Sequence, residues 1–145
     1  MIKPFLICDF DKCCELFIRV FNEPPWNDNW TIETASKRLK EFVDNKRFLG
    51  YTLWEDDVLL GAVFCQMKTH FSGDEIFVEE LFVSQDYQGK GHGKTLMNAV
   101  EKYARENAFV SITLITSVGS SAFKFYENLD YKHLDFLAYM HRRLK

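Results

Sequence analysis

At 145 residues with a formal net charge of −3, the chain lacks the basic excess by which proteins hold nucleic acid or an anionic membrane surface, so any anion recognition has to be local. Its hydrophobic share of 47% against 27% charged is that of a folded chain rather than a disordered one, and no uninterrupted apolar run approaches the roughly 20 residues of a membrane span. A single cytoplasmic domain over residues 1–145 is expected.

The elements follow in chain order. Residues Ile2 to Cys8 read as a short strand, and Asp9 or Asp11 caps a helix whose apolar positions Cys14, Phe17 and Phe21 keep helical spacing. Asn22 to Trp30 is a loop, since Pro24 and Pro25 remove donors and the Asn and Asp residues favour turns. Trp26 and Trp30 within it either plug the core edge or form an aromatic wall over a substrate. Thr31 caps a second helix with Ala35, Leu39, Phe42 and Val43 facing inward. Phe48 to Trp54 and Val58 to Met67 make a hairpin around Glu55-Asp56-Asp57, and after a turn at His70–Asp74 a strand runs from about Glu75 to Val83. A third helix over Thr95 to Asn107, a strand over Val110 to Thr116, a short helix over Ala122 to Leu129 and a last strand over Leu134 to Met140 complete the chain. Antiparallel strands followed by strand, helix, strand, helix, strand predict an α/β, α+β-like mixed sheet, mostly antiparallel, with helices on both faces.

The third helix opens on Gln88-Gly89-Lys90-Gly91-His92-Gly93. Each glycine costs a helical turn roughly 1 kcal/mol relative to alanine, so glycines there need another reason. Bare backbone supplies one: N–H groups left unpaired at a helix N-terminus converge on an anion, and the helix dipole adds partial positive charge. A Walker-type loop would need glycine where Gln88 stands, and a Rossmann fingerprint needs two residues where only His92 separates Gly91 from Gly93. Lys90 and Lys94 flank the turn, which reads as a pyrophosphate cradle.

The pattern Gln/Arg-x-x-Gly-x-Gly resembles that of the GNAT superfamily of N-acetyltransferases, and Ala122-Phe123-Lys124-Phe125-Tyr126 resembles the Ala-x-x-Phe-Tyr helix that follows the fifth strand there. The resemblance covers most of the chain. It departs at Gly119, where many members have an Asn on the pantetheine arm and Ser120 or Ser121 could stand in, and at Asp130, where a glycine usually ends the helix. It implies a sheet splayed at an acetyl-coenzyme A site, with pantetheine on the main chain of Leu81, Phe82 and Val83. The phosphates would lie on that of Gln88, Gly89, Lys90, Gly91, His92, Gly93 and Lys94, with Ser120 adding a contact.

By alternation, Phe77, Glu79, Leu81 and Val83 share one face of the strand and Val78, Glu80 and Phe82 the other. The superfamily often places an acid or histidine at the position matched by Glu79, which implies a catalytic base, acting directly or through water. A substrate anchor and a cross-strand ion pair are the other readings of Glu79. Glu80 ranks behind it: buried on the opposite face it would need a Lys or Arg partner that the sequence does not identify. Tyr126 is the proposed proton donor to the leaving thiolate, because an ordinary phenol, with pKa near 10, stays protonated at neutral pH; the other reading is a packing tyrosine. The acceptor is expected to be a primary amine of a small molecule or peptide near Trp26, Trp30 and Glu79, with no nucleic acid or membrane partner, and a homodimer stays open. A non-catalytic acyl-coenzyme A binding module is the alternative. Cys8, Cys13, Cys14 and Cys65 have no Cys-x-x-Cys spacing and the histidines no tight cluster, so no metal is expected and the thiols read as free.

Overall fold

The computed structural model describes all residues from Met1 to Lys145. They form two compact units, Met1–Leu114 and Ile115–Lys145. In the first, strands β1 (Ile2–Pro4), β2 (Phe48–Glu55), β3 (Val58–His70), β4 (Gly73–Val83) and β5 (Ser111–Leu114) make one sheet in sequential order. Neighbours run antiparallel except β4 and β5, which are parallel. The β2–β3 hairpin closes on Asp56-Asp57, with Asp56 at φ 52°, the positive angle that tight two-residue hairpins demand.

Three helices cover this sheet: α1 (Phe10–Phe21), α2 (Ile32–Val43) and α3 (His92–Glu106). Thr31 caps α2 as expected, its Oγ1 accepting from Thr34 N at 3.1 Å. Along α1 and α2 the inward stripe of Cys13, Leu16, Phe17, Val20, Ala35 and Leu39 packs with Ala62, Phe64 and Phe82 of the sheet. Phe17 is the hub, its ring 4.8 Å from Phe21, 5.0 Å from Trp30 and 5.6 Å from Phe82. From Gly61 onward the odd-numbered positions of β3 face the other way, toward α3: a Cβ on Gly61 would meet Leu96 Cδ1 at 3.1 Å. Leu96, Met97 and Val100 of α3 are buried there.

The β3–β4 register slips once. Phe64 pairs with Glu80 and Cys65 with Val78, which leaves Glu79 as an inserted residue, a β-bulge. Residues paired across an antiparallel ladder share a face. Glu80 and Phe82 therefore lie with Phe64 on the α1/α2 face, whereas Val78 lies with Cys65 on the α3 face. The simple alternation that grouped Val78 with Glu80 fails for this reason. Parallel pairing of β4 with β5 runs from Glu75–Ser111 to Val78–Leu114 and stops, so the bulge coincides with the point at which β4 loses its second neighbour.

The second unit is built around α4 (Ser121–Asn128). Ser120 caps it, accepting from Phe123 N at 3.0 Å. Asp130 ends it in the left-handed region, φ 67°, as the missing glycine requires. The closing bonds, Tyr131 N to Tyr126 O and Asp130 N to Glu127 O, are those of a Schellman motif. The strand expected over Leu134 to Met140 does not form: the segment makes one turn, Leu137 N to Leu134 O, and Phe136, Tyr139 and Met140 stand exposed. Alternating apolar residues give a strand only when a neighbour takes their backbone bonds, and the unit offers none.

Phe17→Ala removes the ring shared by three aromatic partners. It should lower the stability of the folded chain by about 3–5 kcal/mol, read from urea unfolding followed by fluorescence.

Candidate active site

The fork between β4 and β5 determines which main-chain groups are available. Ser84 N donates to Leu60 O at 2.7 Å, so the even-numbered residues at this end of β4 direct their polar groups to β3. By the alternation of an antiparallel ladder, Leu81 and Val83 aim theirs away from β3, along the edge that β5 no longer covers. Phe82, expected as a third contact, turns its main chain to β3 and its ring into the core.

Gln88 fastens the following loop to this edge, its Nε2 donating to Val83 O at 3.0 Å. Its own N–H points to Gln85 O at 3.4 Å, so within the protein Gln88 serves as the anchor of the loop. Beyond it the backbone turns through Gly89 at φ 77° and Gly91 at φ 84°, the latter being the N-cap of α3. L-residues with side chains adopt these angles only at a cost of about 1–2 kcal/mol. No main-chain N–H of Gly89, Lys90, Gly91, His92, Gly93 or Lys94 finds an acceptor in the protein; pairing resumes with Thr95 N to Gly91 O at 3.0 Å. A Cβ on Gly89 or Gly91 would meet nothing within 4 Å, so the space over these amides is open. The first turn of α3 carries no acid, and Lys90 Nζ lies 5.5 Å over the ring of Tyr87. Unpaired donors, dipole and lysines together favour a di-anion.

On the α1/α2 face, Glu80 meets Arg38 of α2, Nε to Oε1, at 2.7 Å. Burial pushes the Glu80 carboxyl above the ordinary carboxylate range, the Arg38 guanidinium pulls it back, and the charges of Glu79 and Asp28 push it up again. Arg38 is the partner that sequence reading missed. The signal was present: Arg38 falls three residues after Ala35 and four before Phe42, on the inward stripe of α2, where an unpaired charge would be costly. Its guanidinium lies 5.2 Å from the Phe42 ring and 5.8 Å from Trp30.

Trp30 is fixed by Asn22, which accepts from its N–H at 2.8 Å and donates to its C=O at 2.9 Å. Its indole Nε1 donates to Asp28 at 3.1 Å. Trp26 packs edge-on to Phe21, ring centroids 5.1 Å apart, and stays 40% exposed. Both tryptophans thus finish the core, and Trp26 keeps a free surface. Glu79, at the bulge, is half-buried and makes no ion pair; its charge bears on Glu80 and on the Cys65 thiol.

Within the second unit, Tyr126 packs 5.0 Å from Phe125 and 5.7 Å from Tyr131. Ser120, the expected pantetheine contact, donates its hydroxyl to Ser117 O at 2.7 Å while capping α4. Helix capping accounts for that side chain. No cluster of His, Cys, Asp and Glu has the arrangement of a metal site, and no helix is long and apolar enough to cross a membrane.

Residues 10–131 match the model of the family described as Acetyltransferase (GNAT) family. No curated protein matches the sequence. Solved structures do match in fold. A possible acetyltransferase from Clostridium difficile 630 superposes with a TM-score of 0.84 at 15% identity, over 100% of this chain and 98% of that one. An aminoglycoside acetyltransferase from an uncultured soil metagenomic sample, in complex with sisomicin, gives 0.78 at 17% identity, over 100% and 96%. AAC(6')-Iy in complex with the bisubstrate analogue CoA-S-monomethyl-acetylneamine gives 0.77 at 15% identity, over 99% and 98%.

Burial pushes the thiols of Cys13, Cys14 and Cys65 upward, and only Cys8 is exposed. Since the thiolate is the reacting species, titrating the folded protein with a disulfide reagent at pH 8 should modify Cys8 alone. The three others should react only in denaturant.

Proposed function

Because the chain belongs to the GNAT acetyltransferase family, we propose that it carries the acetyl group of acetyl-coenzyme A to a primary amine of a small molecule or peptide. The observation that carries this reading is the continuous run of unpaired amides from Gly89 to Lys94, tethered by Gln88 to the open edge of β4. The arrangement fits the coenzyme in both of its polar parts. A diphosphate would be held by the unpaired N–H groups at the mouth of α3, and the amides of pantetheine by the N–H and C=O of Leu81 and the N–H of Val83, as an added strand is. Bound there, the coenzyme supplies an activated acetyl carbonyl.

The chain's own residues then have three tasks. The loop and β4 edge hold the donor by main-chain groups and so fix its position. Glu79, the bulged residue beside the fork, takes the ammonium proton of the acceptor, directly or through a water, so that the amine attacks as a neutral nucleophile. Tyr126 gives a hydrogen bond or a proton to the departing sulfur, a role supported by its place in the Ala-x-x-Phe-Tyr pattern. Acidic Asp28, Glu79 and Glu80 outnumber the one cation among them, Arg38, which suits a cationic acceptor. An aminoglycoside complex among the fold neighbours is of that chemical kind.

A thiol-release assay with a panel of polyamines, aminoglycosides and lysine peptides tests the reading. Release with at least one amine is expected; calorimetric binding of acetyl-coenzyme A with no release from any amine would mark a non-catalytic acyl-coenzyme A binding module instead. Gly91→Val forces a β-branched residue to φ 84° and crowds the amides, so KM for acetyl-coenzyme A should rise at least tenfold, about 1.4 kcal/mol, with the circular dichroism spectrum unchanged. Glu79→Gln should lower kcat about a hundredfold with little change in coenzyme affinity. Unaltered turnover in that variant would remove Glu79 from the chemistry.

A further inference from the structure

We propose that the side-chain amide of Gln66 is a specificity contact for the acceptor: it receives a hydrogen bond from a second polar group, a hydroxyl or an amino N–H, on the amine that is acetylated. This rests on the function proposed above, with the reacting amine beside Glu79. Three polar or charged residues are buried in the protein, Asp9, Thr52 and Gln66. Two of them are satisfied: Asp9 accepts from Leu6 N at 3.1 Å and Thr52 from Trp54 Nε1 at 2.9 Å. Gln66 is 9% exposed, and its Oε1, alone among the buried side-chain nitrogen and oxygen atoms, has no hydrogen-bonding partner. A buried acceptor left in that state weakens a fold. It points to a donor from outside the chain.

The neighbours of Gln66 do not supply that donor. It pairs with Phe48 on β2 and with Phe77 on β4, whose rings carry none. Side chains two apart on a strand share a face, which puts Gln66 with Phe64, and so with Glu80, on the α1/α2 side. The cations there are committed elsewhere, Arg38 Nε to Glu80 at 2.7 Å and Lys68 Nζ over the Phe77 ring at 4.3 Å. Phe48 closes the β2 flank, its ring 5.3 Å from Phe64, whereas Phe77 and Glu79 on the β4 flank are only half-buried. Approach is therefore along β4. Phe77, opposite Gln66, stands two residues before Glu79, about 7 Å at the rise of a strand. The acceptor so defined is an amine with an apolar stem lying on Phe77 and a hydroxyl or second amine that far from the reacting nitrogen, a span of roughly four to six carbons.

The experiment compares straight-chain amines with and without a terminal hydroxyl, butylamine against aminobutanol and pentylamine against aminopentanol, in the thiol-release assay with the full chain. A site built to bond a hydroxyl rejects the analogue lacking it, so the native protein should favour the amino alcohol of at least one pair by about tenfold in kcat/KM, through KM. Gln66→Met, an apolar side chain of similar shape, should bring that ratio close to one, while its melting temperature holds or rises because an unpaired polar atom has gone. A residue that only packs would leave the ratio where it was. No preference for either amino alcohol in the native protein, or an unchanged ratio in Gln66→Met, overturns the proposal. A second measurement needs neither turnover nor a variant: with coenzyme A present, the side-chain N–H pair of Gln66 in 15N NMR spectra should move on titration with aminopentanol and stay still with pentylamine. If no amine releases thiol and that pair still moves, the contact stands and the proposed function falls; a pair that does not move removes the contact.

Discussion

A strand inside a sheet needs a hydrogen-bonding neighbour on each side, and β4 has one only as far as Val78. From there on, main-chain groups facing away from β3 have no strand to satisfy them, a condition buried backbone tolerates only where another molecule or water completes it. The rest of the first unit is arranged to keep that gap. The bulge at Glu79 turns the strand at the place where β5 departs. Gln88 bridges back to Val83 and keeps the following loop at the end of the opened edge.

The two faces of the sheet carry different tasks. Toward α3 the contacts are aliphatic and fully buried, which makes that helix a fixed mount for the amides at its N-terminus. Toward α1 and α2 the core is aromatic, and at its rim a carboxylate, a guanidinium and two tryptophans replace further hydrocarbon. Burying such groups without partners would destabilise the fold by several kcal/mol. Arg38, Asn22 and Asp28 provide those partners.

Much of the architecture was legible in the sequence because local rules and tertiary demands agree. The cap at Thr31, the hairpin at Asp56-Asp57 and the glycine turn before α3 each follow from residues acting within a few positions. What was not legible depended on distant partners. The bulge at Glu79 is a relation between two strands, so simple alternation assigned Val78 to the wrong face. The pair Arg38–Glu80 spans 42 positions, and only the place of Arg38 on an apolar stripe hinted at it. The tie from Gln88 to Val83 and the cap that Ser120 makes on α4 were likewise not readable as such. The segment from Leu134 to Met140 alternates like a strand and lacks a neighbour to make it one. Of the candidate site, the turn with unpaired amides was readable because glycine spacing is a backbone statement; the Arg38–Glu80 pair beside it was not.

The donors at the mouth of α3 are peptide groups, which neither gain nor lose protons anywhere in the range that cells visit. An anion bound there would depend first on the shape of the chain, with Lys90 and Lys94 adding charge that other side chains could also supply. Such a site would tolerate other side chains at Lys90, His92 and Lys94, whereas the two left-handed turns at Gly89 and Gly91 admit a side chain only with backbone strain.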